Sequence, residues 1–260
     1  MTELTLCSLN CNGIRAAKKR GFHDWLAKHQ PDALALQEVR ARPEQVDAED
    51  ISPAGYNSRW VIAEKKGYSG VAMYSKLNVD QYSVGTGLDW SDAEGRFLRT
   101  DFEAGFSVCC LYLPSGSSKE ERQNAKYDFM DHFMKFSKKL LAEKRPIVIV
   151  GDLNIAHENI DIHNPKSNAK SSGFLPDERA WFTRLLKQGW SDVFREQHGE
   201  DPGKYSWWSN RGRARELDRG WRIDYALASP EFAKLVTDTW IEKDADLSDH
   251  APVWTRFTAP

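Results

Sequence analysis

Short apolar runs that stop at a polar residue recur along the chain. Residues 4–10, 33–38, 108–112, 147–154, 223–228 and the stretch around 248–253 are rich in Leu, Ile, Val or Cys. Runs of that length and composition predict strands buried on both faces. Residues 60–64, 71–75, 97–102 and 236–241 add further strand candidates. Helical spacing interleaves with them. Phe129, Phe133, Phe136 and Leu140 follow a Ser-x-x-Glu capping box at 118–121, and Pro146 supplies the stop. Residues 21–29 and 177–187 predict two more helices, with Phe22, Trp25 and Leu26 inward in the first and Trp181, Leu185 and Leu186 in the second. No Pro/Gly/Ser-rich linker divides two compositions, so the pattern predicts one α/β domain over residues 1–260. Residues 114–118, 156–173 and 203–220 read as long loops, which are often functional.

Composition adds exclusions. With 40% hydrophobic and 28% charged residues the chain is ordinary globular protein. Its longest apolar runs fall far short of the ~20 residues of a membrane span. No leader pattern precedes the first strand, so the expectation is an unprocessed cytoplasmic protein, associated with the nucleoid if bacterial. Cys7, Cys11, Cys109 and Cys110 have neither disulfide-framework nor zinc spacing and read as reduced, packed thiols. The net charge of −2 advertises no global basic field. Nucleotide-loop, dinucleotide, serine-hydrolase and His-Glu-x-x-His signatures are all missing.

The chemistry collects where strands end. Functional side chains of α/β folds gather on that rim, and here it would hold Asn10, Asn12, Glu38, Tyr112, Asp152, Asn154, Asp224, Asp249 and His250. Each has an ordinary structural use: Asp152 and Asn154 suit an Asx-turn, and Tyr112 suits a core with its hydroxyl satisfied. Their coincidence on one rim is the stronger signal. Hard oxygen donors of this kind suit Mg²⁺ or Mn²⁺ and metal-assisted phosphodiester hydrolysis. A carboxylate beside a histidine favours the charged imidazole, and a further Asp can deprotonate water.

A second signal concerns the partner. From 204 to 222, six Lys and Arg face two acidic residues in a segment that also carries Tyr205, Trp207, Trp208 and Trp221. Cations interleaved with aromatics suit phosphate contact with stacking or insertion. Arg15 and Lys18-Lys19-Arg20 form another basic cluster after the first strand.

Taken together, the motifs resemble the exonuclease III family of DNA-repair nucleases. The resemblance rests on Ser8-Leu-Asn-Cys-Asn-Gly-Ile-Arg-Ala16, Leu36-Gln-Glu-Val-Arg40, Gly67-Tyr-Ser-Gly-Val71, Glu94-Gly-Arg96 and Tyr112-Leu-Pro114. It continues through Gly151-Asp-Leu-Asn154, Asn164-Pro-Lys-Ser-Asn168, Gly220-Trp-Arg-Ile-Asp-Tyr225 and Ser248-Asp-His-Ala-Pro252, so it spans essentially the whole chain. It implies a four-layer α/β sandwich, two packed mixed sheets flanked by helices. It also implies a monomer that cleaves double-stranded DNA 5′ to abasic sites with Mg²⁺ (Mn²⁺ substituting), leaves a 3′-hydroxyl and processes blocked 3′ ends. By motif, Glu38, Asn10 and Asp249 would hold the metal. Asp152 and Asn154 would act on the attacking water, and His250, held by Asp224 and assisted by Tyr112, would stabilise the phosphate. Arg15, Arg20, Tyr68, Asn164, Asn168 and Arg222 would contact DNA or phosphate. Trp207, Trp221 and Ile223 would line the pocket for the base-less sugar. Asn12, Ser115 and Ser167 depart from the family's usual Asp, longer amide and Gly. The rival within the family is an enzyme working mainly at 3′ ends. A phosphatase and a non-catalytic DNA-binding module are further alternatives.

Overall fold

The computed structural model describes residues 2–117 and 119–260. Two mixed six-stranded sheets pack face to face. The first runs, in spatial order, Val236–Ile241, Val253–Thr258, Glu3–Asn10, Ala33–Gln37, Val71–Ser75 and Asn57–Val61. The second runs Val79–Val84, Phe97–Phe102, Ser107–Tyr112, Ile147–Asp152, Asp224–Ala228 and Ser191–Asp192. Each sheet has one parallel pair at its centre: Glu3–Asn10 with Ala33–Gln37, and Ser107–Tyr112 with Ile147–Asp152.

Strand alternation produces the layers. Leu4 and Leu6 join Val108, Cys110, Val148 and Val150 between the sheets. Cys7 and Leu9 turn the other way, onto Phe22, Trp25 and Leu26 of the helix Phe22–His29. Cys109 and Leu111 turn outward beneath Phe129 and Phe133 of Glu120–Ala142 and Trp181 and Leu185 of Pro176–Lys187. Adjacent Cys109 and Cys110 therefore belong to different layers, and all four cysteines are free and buried. The result is helix, sheet, sheet, helix, the expected four-layer α/β sandwich. No helix among the described residues is long and apolar enough to cross a membrane.

Most expected elements are present, with instructive differences. The last strand begins at Val253, so residues 248–252 form a loop. Val79–Val84 is a strand the pattern missed, because it is an edge strand with much of its length in solvent. The 203–220 stretch contains half of a short ribbon, Trp207–Trp208 paired with Gly220–Trp221. Ser118, the proposed capping residue, lies outside the described residues; the helix starts at Glu120.

Candidate active site

The two parallel pairs aim their C-terminal ends at one point. Asn10 ends one strand and Glu38 follows its neighbour, while Tyr112 and Asp152 are register partners at the ends of the other pair. Asp224 begins the antiparallel strand beside Asp152 and is its direct partner. Asp249 and His250 arrive from the loop before Val253, where Trp207 bridges to His250. Four non-glycine residues here hold the left-handed conformation: Asn12, Glu38, Arg40 and Asn154, with φ of 46°, 54°, 49° and 51°. Such backbone is rare and gathers at functional sites. Gly151, at φ 142°, is required for another reason: a Cβ there would strike the carbonyl oxygen of Leu111 on the next strand.

Hydrogen bonds then fix the side chains. Asn10 donates from Nδ2 to Glu38 Oε1 at 2.8 Å and to Asp152 Oδ2 at 2.9 Å, tying one sheet to the other. Asp152 also accepts from the Asn154 backbone N–H at 2.8 Å and its Nδ2 at 3.1 Å. His250 Nδ1 lies 2.9 Å from Asp224 Oδ2, which accepts from Ser206 Oγ at 2.7 Å. The other imidazole nitrogen, Nε2, is 3.9 Å from Asp152 Oδ2. Asp249 accepts from Asn12 Nδ2 at 2.8 Å, Ser248 Oγ at 3.1 Å and Trp207 Nε1 at 3.2 Å. Arg96, itself buried, stacks 4.6 Å above the Tyr112 ring.

These surroundings set the charges. Burial raises Asp152 most, the neighbouring Asp224 and Glu38 add to it against the pull of His250, and its carboxyl reaches about 7. Burial alone would lower His250, but the Asp224 carboxylate overrides it and lifts the imidazole to about 10. Asp249 is held below the ordinary range despite its burial, by His250 and its three hydrogen bonds. Burial, then Glu38, keeps the Tyr112 phenol protonated well above its ordinary range.

Over this floor opens a cavity of about 610 Å³. Trp207, Trp221 and Ile223 form an apolar side, the two indoles edge to face at 6.0 Å. Small residues, Ser115 to Ser117 and Ser171 to Gly173, form much of the remainder. Ligand-type atoms of Asp152, Asp224 and His250 lie within 4.8 Å of one another. With Nδ1 engaged by Asp224, that trio is a carboxylate–imidazole arrangement rather than a cation cage. Glu38 and Asp249 also line the cavity, and two carboxylates with water and substrate phosphate make up the usual Mg²⁺ coordination. The residues present therefore fit a hard divalent cation, in a site where like charges already crowd. Arg40 pairs with Glu38 there, a residue the sequence reading quoted but passed over.

Two expected placements, Arg222 and Asn10, need correction. Arg222 is not a DNA contact: it is 0% exposed, with Nε 2.7 Å from Asp161, Nη2 2.7 Å from Asp192, and its guanidinium over Tyr225. Asn10 shows its amide nitrogen to the carboxylates, because its Oδ1 accepts the Asn12 N–H at 3.0 Å; as placed it bridges carboxylates and does not ligate. Asn164 and Asn168 sit outside the cavity lining, bonded to each other across one turn. The remaining DNA candidates lie at its margins. Arg15 is exposed in an adjoining groove with Lys19 and Arg40. Arg20 is exposed and paired to Asp246, and the Tyr68 hydroxyl is held by Arg96 and Arg122. Ser171 to Gly173 were missed because small residues in a loop carry no chemical signature.

Residues 7–250 match the endonuclease/exonuclease/phosphatase family. An exodeoxyribonuclease of Bacillus subtilis is 38% identical, covering 96% of this chain and 98% of that protein. The DNA repair nuclease APEX1 of Danio rerio is 36% identical over 99% of this chain and 83% of its own length. Among solved structures, an AP endonuclease from Archaeoglobus fulgidus superposes with a TM-score of 0.89 at 28% identity, over 98% of this chain and 99% of that one.

Proposed function

Since the chain belongs to the endonuclease/exonuclease/phosphatase family, among its exonuclease III-type nucleases, we propose that it incises double-stranded DNA 5′ to abasic sites. The cut leaves a 3′-hydroxyl, and the same site trims blocked 3′ ends and works as a 3′–5′ exonuclease. Residues 1–260 act as one nuclease domain and as a monomer. The observation that carries this reading is the imidazolium of His250, backed by Asp224 and facing Asp152 beneath an apolar indole-lined cavity.

Each group has work suited to its surroundings. Asp152, with a proton affinity close to neutrality, accepts the proton of the attacking water, and Asn154 orients that water. His250 and Tyr112, both protonated near neutral pH, donate toward the non-bridging phosphate oxygens as charge builds there. Glu38 and Asp249 would hold Mg²⁺, with Mn²⁺ substituting; when bound, the ion neutralises charge on phosphorus and the leaving oxygen. Arg15 and Arg20 grip the backbone, and Tyr68, Asn164 and Asn168 meet flanking phosphates. Trp207, Trp221 and Ile223 receive the flipped sugar, which costs less to extrude than a paired nucleotide.

A second reading, work mainly at 3′ ends, is favoured by the small residues that share the lining with the indoles and leave the cavity about 610 Å³. One gel assay decides. A duplex with a stable abasic analogue and a lesion-free recessed duplex are each incubated with Mg²⁺ and with EDTA. Mg²⁺-dependent incision faster than end degradation is the expected result. End degradation alone moves the protein to the second reading, and no cleavage of either duplex overturns both.

A further inference from the structure

Behind the small-residue wall of the cavity lies an ion pair with no contact to solvent. Lys126, on Glu120–Ala142, and Glu178, on Pro176–Lys187, are both 0% exposed, with Nζ 2.6 Å from Oε1. Lys126 also donates to the Asn154 carbonyl at 2.9 Å. The other Glu178 oxygen accepts the backbone N–H groups of Gly173 at 2.7 Å and Leu175 at 3.0 Å. Gln123, one turn before Lys126, donates to Glu178 at 3.0 Å and accepts from Ser172 Oγ at 2.7 Å. One buried pair thus holds Asn154 with one end and the Ser172-Gly173 wall with the other.

Stability does not explain the pair. Apolar residues of similar volume usually serve a core as well as or better than a buried ion pair. What they could not supply is a donor for Asn154 and a double acceptor for the wall. The wall has little slack: a Cβ on Gly173 would lie 3.0 Å from the Asn154 carbonyl oxygen and 3.1 Å from the Trp221 ring. Gly173 also accepts from Ala156 N at 2.8 Å.

We propose that Lys126 and Glu178 are specificity-determining positioning residues, which lock the Ser172-Gly173 wall against Asn154 and so fix the cavity width that separates a base-less sugar from an intact nucleotide. The inference rests on the abasic-site reading above. Neither residue touches substrate; both act through the wall and Asn154. Loosening the wall admits intact terminal nucleotides relative to the lesion, while a general loss of folded enzyme lowers both activities together.

The test uses the full chain and two variants, Glu178→Gln and Lys126→Met/Glu178→Gln. The double variant removes both charges, so no unpaired ion is left buried. The readout is the ratio of kcat/KM for the abasic-analogue duplex to that for the lesion-free recessed duplex, from which the folded fraction cancels. The ratio should fall about fivefold or more in the double variant, with a smaller fall in Glu178→Gln, since misplacement from a distance is known to cost up to about a hundredfold. An unchanged or increased ratio overturns the proposal, even if both rates decline. Should the double variant not fold, the ratio for Glu178→Gln decides in the same way. A wild-type chain that fails to incise at the lesion refutes the underlying functional reading instead.

Discussion

Arg222 and Asp224 stand two residues apart, 0% and 2% exposed, and enter opposite kinds of cluster. Around Arg222 the charges close. Asp161 and Asp192 take its guanidinium, and Arg195 completes the set with a second bond to Asp161 at 2.7 Å. Burial would raise the Asp161 carboxyl, but the two guanidinium groups hold it below the ordinary range. Around Asp224 they do not close. Three carboxylates, those of Asp224, Asp152 and Asp249, share one buried imidazolium, and burial, with Asp224 and Glu38 beside it, drives Asp152 up to about 7. A matched buried cluster fixes structure; one with surplus negative charge retains an appetite for protons and cations, the mark of a working site.

Four substitutions can break or sharpen this contrast. Asp152→Asn has the largest effect, a loss of kcat of about 10³-fold, as expected when a positioned general base is removed. Its stability should move the other way. Asp152 holds its proton up to about 7 when folded against 3.8 ordinarily, so ionising it costs stability as pH rises between those values. At pH 8 the Asn variant should melt at or above the wild type; a marked fall in Tm would mean Asp152 is paired like Asp161.

Arg222→Met should do the reverse. Asp192 loses its guanidinium inside the protein and Asp161 keeps only that of Arg195, which costs about 3–5 kcal/mol and roughly 10 °C of Tm at this chain length. Active-site titration should show near-normal turnover per folded molecule. A direct loss of DNA affinity in the folded variant would restore Arg222 to the DNA contacts.

Asp224→Asn tests the imidazolium. The raised His250 value gives stability that is fully present below about 6.5 and lost as pH climbs to about 10. Without the carboxylate, the alkaline limb of the kcat profile should descend from near 10 toward 6.5, and the pH-dependent stability over that window should vanish. An unmoved limb would assign it to another group. The smallest effect belongs to Arg15→Ala. Losing an exposed cation from a phosphate contact weakens binding across all sequences and lowers the log–log salt slope by about one, with no change in Tm.

How far the sequence reaches is clear from these same residues. Strand ends were legible because a buried run that halts at Asn10, Glu38 or Asp152 has few structural reasons to do so. The pairing of Asp224 with His250 could be anticipated from chemistry once both were placed on the rim. Arg222 was misread because an arginine among tryptophans looks the same whether it faces solvent or core. Its partners, Asp161 and Asp192, lie 61 and 30 residues away, beyond any local pattern. Asn10 was placed correctly but given the wrong atom, since only the Asn12 N–H decides which end of the amide faces the carboxylates. Arg40 and the serine wall have no periodicity or motif chemistry of their own and emerge only from packing.

The Asn10 bridge to Asp152 joins positions 142 residues apart, and His250 must still arrive on the loop that leads into Val253–Thr258 of the first sheet. Contacts so distant in sequence form late in folding. During synthesis, at about 5–20 residues per second, the growing polypeptide holds no assembled cutting centre until residue 250 has emerged and Val253–Thr258 has paired with Glu3–Asn10. An interrupted translation product ending before that point should leave the genome intact.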